Sequence, residues 1–134
     1  MSNHATGQFD VKLSPLPAYD TSAGTPLARM SIDKEFTGDL SATSKGEMLA
    51  AGTAVKGSGL YVAVERVTGT LAGRSGSFIL HHTGIMTRGA PELSVKVVPD
   101  SGTDQLVGLS GQMTILIADG KHSYDFDFSL PAAD

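Results

Sequence analysis

Cysteine is absent from the 134-residue chain. That excludes disulfides and thiolate metal sites and is in keeping with a reducing compartment. No run of Lys and Arg is present either. The 10 basic residues are scattered singly among 14 acidic ones, for a net charge of −4. No basic stripe is therefore available to neutralise phosphates, and nucleic acid is not expected as a partner. No stretch approaches the roughly 18 consecutive apolar residues of a membrane-crossing helix. The opening residues MSNHATGQF lack the basic start and apolar core of a secretory leader. These absences predict a cytoplasmic protein with no membrane partner. No segment carries a 3.6-residue period of useful length, so helices are not expected.

What the chain has instead is glycine, 16 of them, and apolar residues at alternate positions. Its length suits one domain spanning 1–134, large enough to hold a core without staples. Period-two alternation marks the half-buried strand. In Ala5–Leu13, Phe9, Val11 and Leu13 alternate with Asp10 and Lys12. Ser14–Pro26 follows, where Pro15, Pro17, Pro26 and Gly24 forbid regular structure. So long a connection suits a binding loop, and Tyr19 is its only aromatic, read most simply as a surface anchor.

Leu27–Leu40 holds the next strand, with Ala28, Met30, Ile32 and Phe36 on one side and Lys34 among them. The ammonium of Lys34 is expected near a barrel end, reaching out to water. Another strand lies within Ser41–Ala51, and the turn before it sits at Thr37–Asp39 or at Ser41–Ser44. Leu60–Leu71 is the most apolar strand, with Leu60, Val62 and Val64 on one side and Tyr61, Ala63 and Val67 on the other. Apolar residues on both faces of an antiparallel strand imply cover on both, which core on one side and another subunit on the other would supply. A homo-oligomer is expected.

After the tight turn Ala72–Ser75 come strands Ser75–Ile85 and Pro91–Pro99, then a polar turn at Asp100–Gln105 and a strand over Leu106–Ala118. Asp119-Gly120 is the strongest hairpin signal, since both residues tolerate the positive φ of a type I′ turn. It leads into His122–Leu130, where Tyr124, Phe126 and Phe128 alternate with Asp125 and Asp127. A weak echo repeats along the chain: FTGDL at Phe36–Leu40, VTGTL at Val67–Leu71 and LVGL at Leu106–Leu109 each put glycine beside apolar residues. Repeated glycine kinks in about eight strands fit a sheet that curls closed into a small barrel. The expected fold is all-β, a single eight-stranded antiparallel β-barrel. Such an interior is either filled by side chains or shaped around one small ligand.

The run FTGDL, then YVAVERVTGTLAGRSGSFILHHTG (Tyr61–Gly84), then VVPDSGTDQLVGLSG (Val97–Gly111) resembles an uncharacterised bacterial family known only as a domain of unknown function, DUF3224. The likeness extends from the HATGQFDVK start at His4 to the final strand. Members of that family are similar in fold to the allene oxide cyclase barrel, so the resemblance implies the same architecture. It implies no activity, because fold does not transfer chemistry. No motif carries the plant cyclase's binding residues over to this chain.

Few residues are candidates for chemistry. His81 and His82 are adjacent on a strand and point to opposite faces, and His4 and His122 stand alone, so no metal site is expected. Ser77 in GRSGS is no nucleophile elbow, because no helix follows it. The glycine-rich turns lead into no helix and make no phosphate cradle, and no cofactor is expected. Glu65 and His82 share the inner faces of two strands joined by Ala72–Ser75, with position 65 expected opposite roughly 81 or 82. They are the catalytic candidates, as general base and orienting group. The plainer alternatives are a structural ion pair or a Glu65–Arg74 pair at the rim.

Tyr61, Tyr124 and Glu47 are further inner-face candidates, and with Tyr19, Glu65 and His82 they make up the expected ligand-binding set. Asp125 and Asp127 read as a solvated face. Three functions follow. One is a binding module for a small apolar or amphipathic molecule in the barrel interior or mouth, with Ser14–Pro26 near the opening. The second is a cofactor-free isomerase or cyclase-like enzyme using Glu65 and His82. The third is a solid barrel that acts in assembly through Leu60–Val64.

Overall fold

Alternating apolar side chains place the strands within a few residues of where the sequence marks them. In the structure, a computed structural model that describes residues 3–22, 24 and 27–131, the chain forms eight strands. They are β1 (Asn3–Leu16), β2 (Leu27–Gly38), β3 (Leu40–Gly52), β4 (Gly59–Leu71), β5 (Arg74–Thr87), β6 (Ala90–Val97), β7 (Ser110–Ala118) and β8 (Lys121–Ser129). Each pairs antiparallel with its neighbours in sequence, and β8 pairs with β1, closing the barrel. The described residues contain no α-helix, hence none long and apolar enough to cross a membrane.

Hairpin chemistry sets the strand order. Ala72-Gly73, Arg88-Gly89 and Asp119-Gly120 have positive φ at both positions, the type I′ pattern whose twist matches the flanking strands. The turn between β2 and β3 is Gly38-Asp39, which settles the two placements left open by the sequence. A carboxylate oxygen of Asp39 accepts the Thr6 N–H at 2.9 Å, tying that turn to β1. The three echoed glycines serve different ends: Gly38 ends β2, Gly69 lies inside β4 and Gly108 precedes β7.

The expectation of a strand over Leu106–Leu109 is not met. Asp104–Leu106 is a 3₁₀ turn, and it folds Leu106 and Leu109 into the barrel's end, where both are buried. Their apolar run reflects burial at a plug rather than strand alternation. This turn packs against β5, and the β6–β7 seam that its connection spans is thin, with one paired position, Lys96 and Gln112.

The barrel is filled at one end and open at the other. At the filled end Phe36, Phe78, Phe126, Leu71 and Leu80 are fully buried, and Phe78 and Phe126 stack with ring centroids 5.8 Å apart. Tyr124 belongs to this end: its hydroxyl donates to the Thr37 carbonyl at 2.7 Å and accepts the Leu40 N–H at 2.9 Å. The interior is thus neither solid throughout nor hollow throughout.

Candidate functional site

The side chains that matter sit where the filled half gives way to the open half. On β4, Ala63, Glu65 and Val67 face inward and are buried. Glu65 has no exposed surface at all. A carboxylate there is tolerable only if paired and fully hydrogen-bonded. It is: Lys34 Nζ donates to Oε2 at 2.8 Å, Ser44 Oγ donates to Oε1 at 2.8 Å, and the His82 Nε2 also bonds Oε2. No buried side-chain polar atom among the described residues lacks a partner.

Three strands other than β4 therefore hold one carboxylate, Lys34 from β2, Ser44 from β3 and His82 from β5. Space for the Glu65 stem comes from Gly46, its cross-strand partner on β3. A Cβ at position 46 would lie 2.7 Å from the Glu65 Cα and 2.8 Å from its Cβ.

Two expectations are corrected here. Lys34 does not reach out to water: its buried ammonium lies on Glu65 and over the Phe9 ring, 4.8 Å from the centroid. The apolar surroundings make the ion pair and the ring face its substitutes for solvent. Glu65 pairs with Leu80, and His82 with Ala63, so carboxylate and imidazole are diagonal rather than direct neighbours. The two-residue turn sets this register, and diagonal pairs on one face remain within reach of long side chains. Glu65 consequently bonds Lys34 rather than Arg74.

Burial alone would push the Glu65 pKa up. The His82 hydrogen bond and the Lys34 charge outweigh it and hold the carboxyl at about 2. Glu65 is thus a fixed anion, too acidic to act as a base. Any base at this site is the imidazole it orients.

Above the cluster, on the side of the open end, lies a cavity of about 200 Å³. Lys34, His82 and Ala63 line its buried floor, while Leu13, Leu93 and Ile117 line it nearer the rim and are exposed. Tyr61 also lines it, half-buried, its ring centroid 6.3 Å from that of His82. Burial, with a smaller contribution from the Glu65 charge, pushes the Tyr61 phenol pKa up. Gly84 admits this ring, since a Cβ there would sit 2.7 Å from the Tyr61 Cδ1. His122 lines the cavity as well, tilted against Phe9 with centroids 5.1 Å apart.

The structure thus brings together Tyr61, Glu65 and His82 from the expected set, and adds Lys34, Ser44 and His122. Tyr124 is corrected to the filled end, where its hydroxyl is spent on backbone groups. Glu47 is corrected to the outer surface, where Arg29 Nε donates to its Oε1 at 2.7 Å. With the turn at Gly38-Asp39, the even-numbered residues of β3 point inward and position 47 points out. Tyr19 is no anchor: its side chain is fully exposed, beside an outer groove shared with Leu27, Leu49 and Leu60. The loop reading of Ser14–Pro26 is corrected at its start, since Ser14, Pro15 and Leu16 end β1 as an edge paired with β2; the described remainder leaves β1 at the open end, and residues 23, 25 and 26 lie outside the described residues. Among the described residues no three His, Asp or Glu side chains converge as a metal site would need.

The family described as "Protein of unknown function (DUF3224)" matches residues 5–128. No curated protein matches the chain. Among solved structures, a protein of unknown function from the same family in Shewanella oneidensis MR-1 superposes with a TM-score of 0.94 at 53% identity. The match covers 99% of this chain and 100% of that one.

Proposed function

Because the chain belongs to DUF3224, a family of proteins of unknown function, its role has to come from its own site, and we propose a binding module for a small apolar or amphipathic molecule. One observation carries this reading: an ionised cluster is buried at the base of an apolar cavity that opens to the barrel mouth. Burying charge is expensive, and a solid apolar core would serve stability as well or better. Lys34 and His82 supply the few convergent polar groups by which such pockets orient a ligand. At about 200 Å³ the cavity lies below the range of roughly 300–1,000 Å³ that suits drug-sized ligands. The ligand is accordingly small, or leaves its tail in the mouth among Leu13, Leu93 and Ile117.

A second reading rests on the Glu65–His82 pair. A carboxylate that holds an imidazole by one nitrogen is a general-base arrangement, and it suits a cofactor-free isomerase or cyclase-like reaction. One experiment addresses both. Native mass spectrometry of the protein from its own host is expected to show a small molecule retained by the wild type and lost from Ile115→Phe, which would fill the cavity from β7. A wild type that retains nothing sinks the binding reading. If the retained molecule is converted on incubation and His82→Gln stops the conversion, the enzyme reading takes over.

A homo-oligomer accompanies either reading. Its support is the outer face of β4, where Leu60, Val62 and Val64 are 42%, 40% and 56% exposed. Light scattering at micromolar concentration is expected to give more than one subunit, and a clean monomer removes the proposal.

A further inference from the structure

The cluster's hydrogen-bond inventory specifies the chemistry of the head group it would take, on the reading that the mouth is a ligand site. An ionised carboxylate only accepts, so the Nε2 of His82 that faces Glu65 carries a hydrogen. The other ring nitrogen, Nδ1, has no protein partner among the described residues. No buried polar side-chain atom there is left unsatisfied, so Nδ1 is open to the cavity that His82 lines. Lys34 has three N–H donors and spends one on Glu65. Lys34 also lines the cavity, and its ammonium has no second protein acceptor among the described residues.

Charge decides between ligands. Lys34 and Glu65 balance, so a neutral imidazole leaves the floor uncharged. An anion entering alone would leave one buried negative charge uncompensated. An anion entering with a proton for Nδ1 gives two cations and two anions in alternation, with every donor facing an acceptor. A cationic head group would meet Lys34 and be repelled. A neutral alcohol would leave part of the donor set unused. Tyr61 on β4 and His122 on β8 are the other titratable groups lining the cavity, and β1, β3, β6 and β7 line it with none. Burial pushes the Tyr61 phenol pKa up, so it adds no negative charge to this balance.

We propose that the mouth binds a small carboxylate amphiphile, head down, with one carboxylate oxygen on the Lys34 ammonium and the other on Nδ1–H of a protonated His82, its apolar tail directed to the rim. Each ligand bound takes up one proton from solvent.

The test uses the whole protein, ¹⁵N-labelled, with hexanoate, hexanol and hexylamine as probes, read at the imidazole nitrogens of His82 by NMR. At about pH 8, hexanoate is expected to bind and to convert Nδ1 from a bare to a protonated nitrogen. Hexylamine is expected not to bind. Above that pH, hexanoate affinity is expected to fall by about tenfold per pH unit, as linkage to one proton requires. Hexanol binding while hexanoate does not overturns this inference and leaves the mouth as a ligand site. Hexanoate binding with the His82 nitrogens unmoved overturns it too. Failure of all three probes overturns both the inference and the binding reading.

Discussion

Glu65→Gln is expected to lower the unfolding free energy by about 3–5 kcal/mol, because it removes the anion from a buried pair and strands the other charge. For a chain of this size that is a fall of roughly 10–20 °C in melting temperature. The cause is Lys34, whose ammonium is buried with Glu65 as its only charged partner among the described residues. Glutamine can still accept one hydrogen bond, but it cannot neutralise a buried cation. The same reasoning gives the converse. Replacing the whole cluster, with Lys34→Met, Glu65→Leu and His82→Phe together, recovers most of the loss, since buried ion clusters exchange for well-packed apolar groups at little or no cost. Calorimetric melting of the two variants beside the wild type decides the matter. A single variant as stable as the wild type, or a triple variant no better than the single one, contradicts this account.

Acid should weaken the barrel through the same carboxylate. The Glu65 pKa is held at about 2 in the fold, against 4.5 for the free side chain. A depressed acid contributes its stability fully above the unfolded value and loses it as pH falls toward the folded one. The contribution lost between about pH 5 and pH 2 is on the order of 3 kcal/mol. Melting temperature should therefore fall steeply across that window in the wild type and less steeply in Glu65→Gln. Parallel acid slopes for the two proteins would show that Glu65 does not carry the effect.

Legibility in the sequence followed the distance over which each feature is decided. Asp119-Gly120 specifies its turn through two residues' own backbone preferences, and it was readable at once. The two faces of β4 were readable because strand parity is local. The Glu65–His82 meeting was readable because one short hairpin joins the strands; its register came out wrong because the turn is the two residues Ala72-Gly73, closing at Leu71 and Arg74. Glu47 was misplaced for want of one turn position, which reverses every side chain that follows. Lys34 stands among apolar neighbours in the sequence, yet its partner lies two strands away across β3, and no local pattern names the inward residue it meets. Tyr124 likewise bonds backbone groups from the β2–β3 turn region. Leu106 and Leu109 look like strand and serve as a plug, because an apolar run reports burial without reporting shape.

The up-and-down course of the chain has a further consequence. Every connection from an odd-numbered strand to the next even one, at 17–26, 53–58, 88–89 and 119–120, returns at the open end. Those from even strands to odd ones, with the plug among them, close over the aromatic rings. Insertions and exchanges among relatives can therefore retune the rim, the part that would select a guest, without disturbing the layer that keeps the cylinder shut. Such a scaffold leaves its rim free to vary while its foundation stays the same.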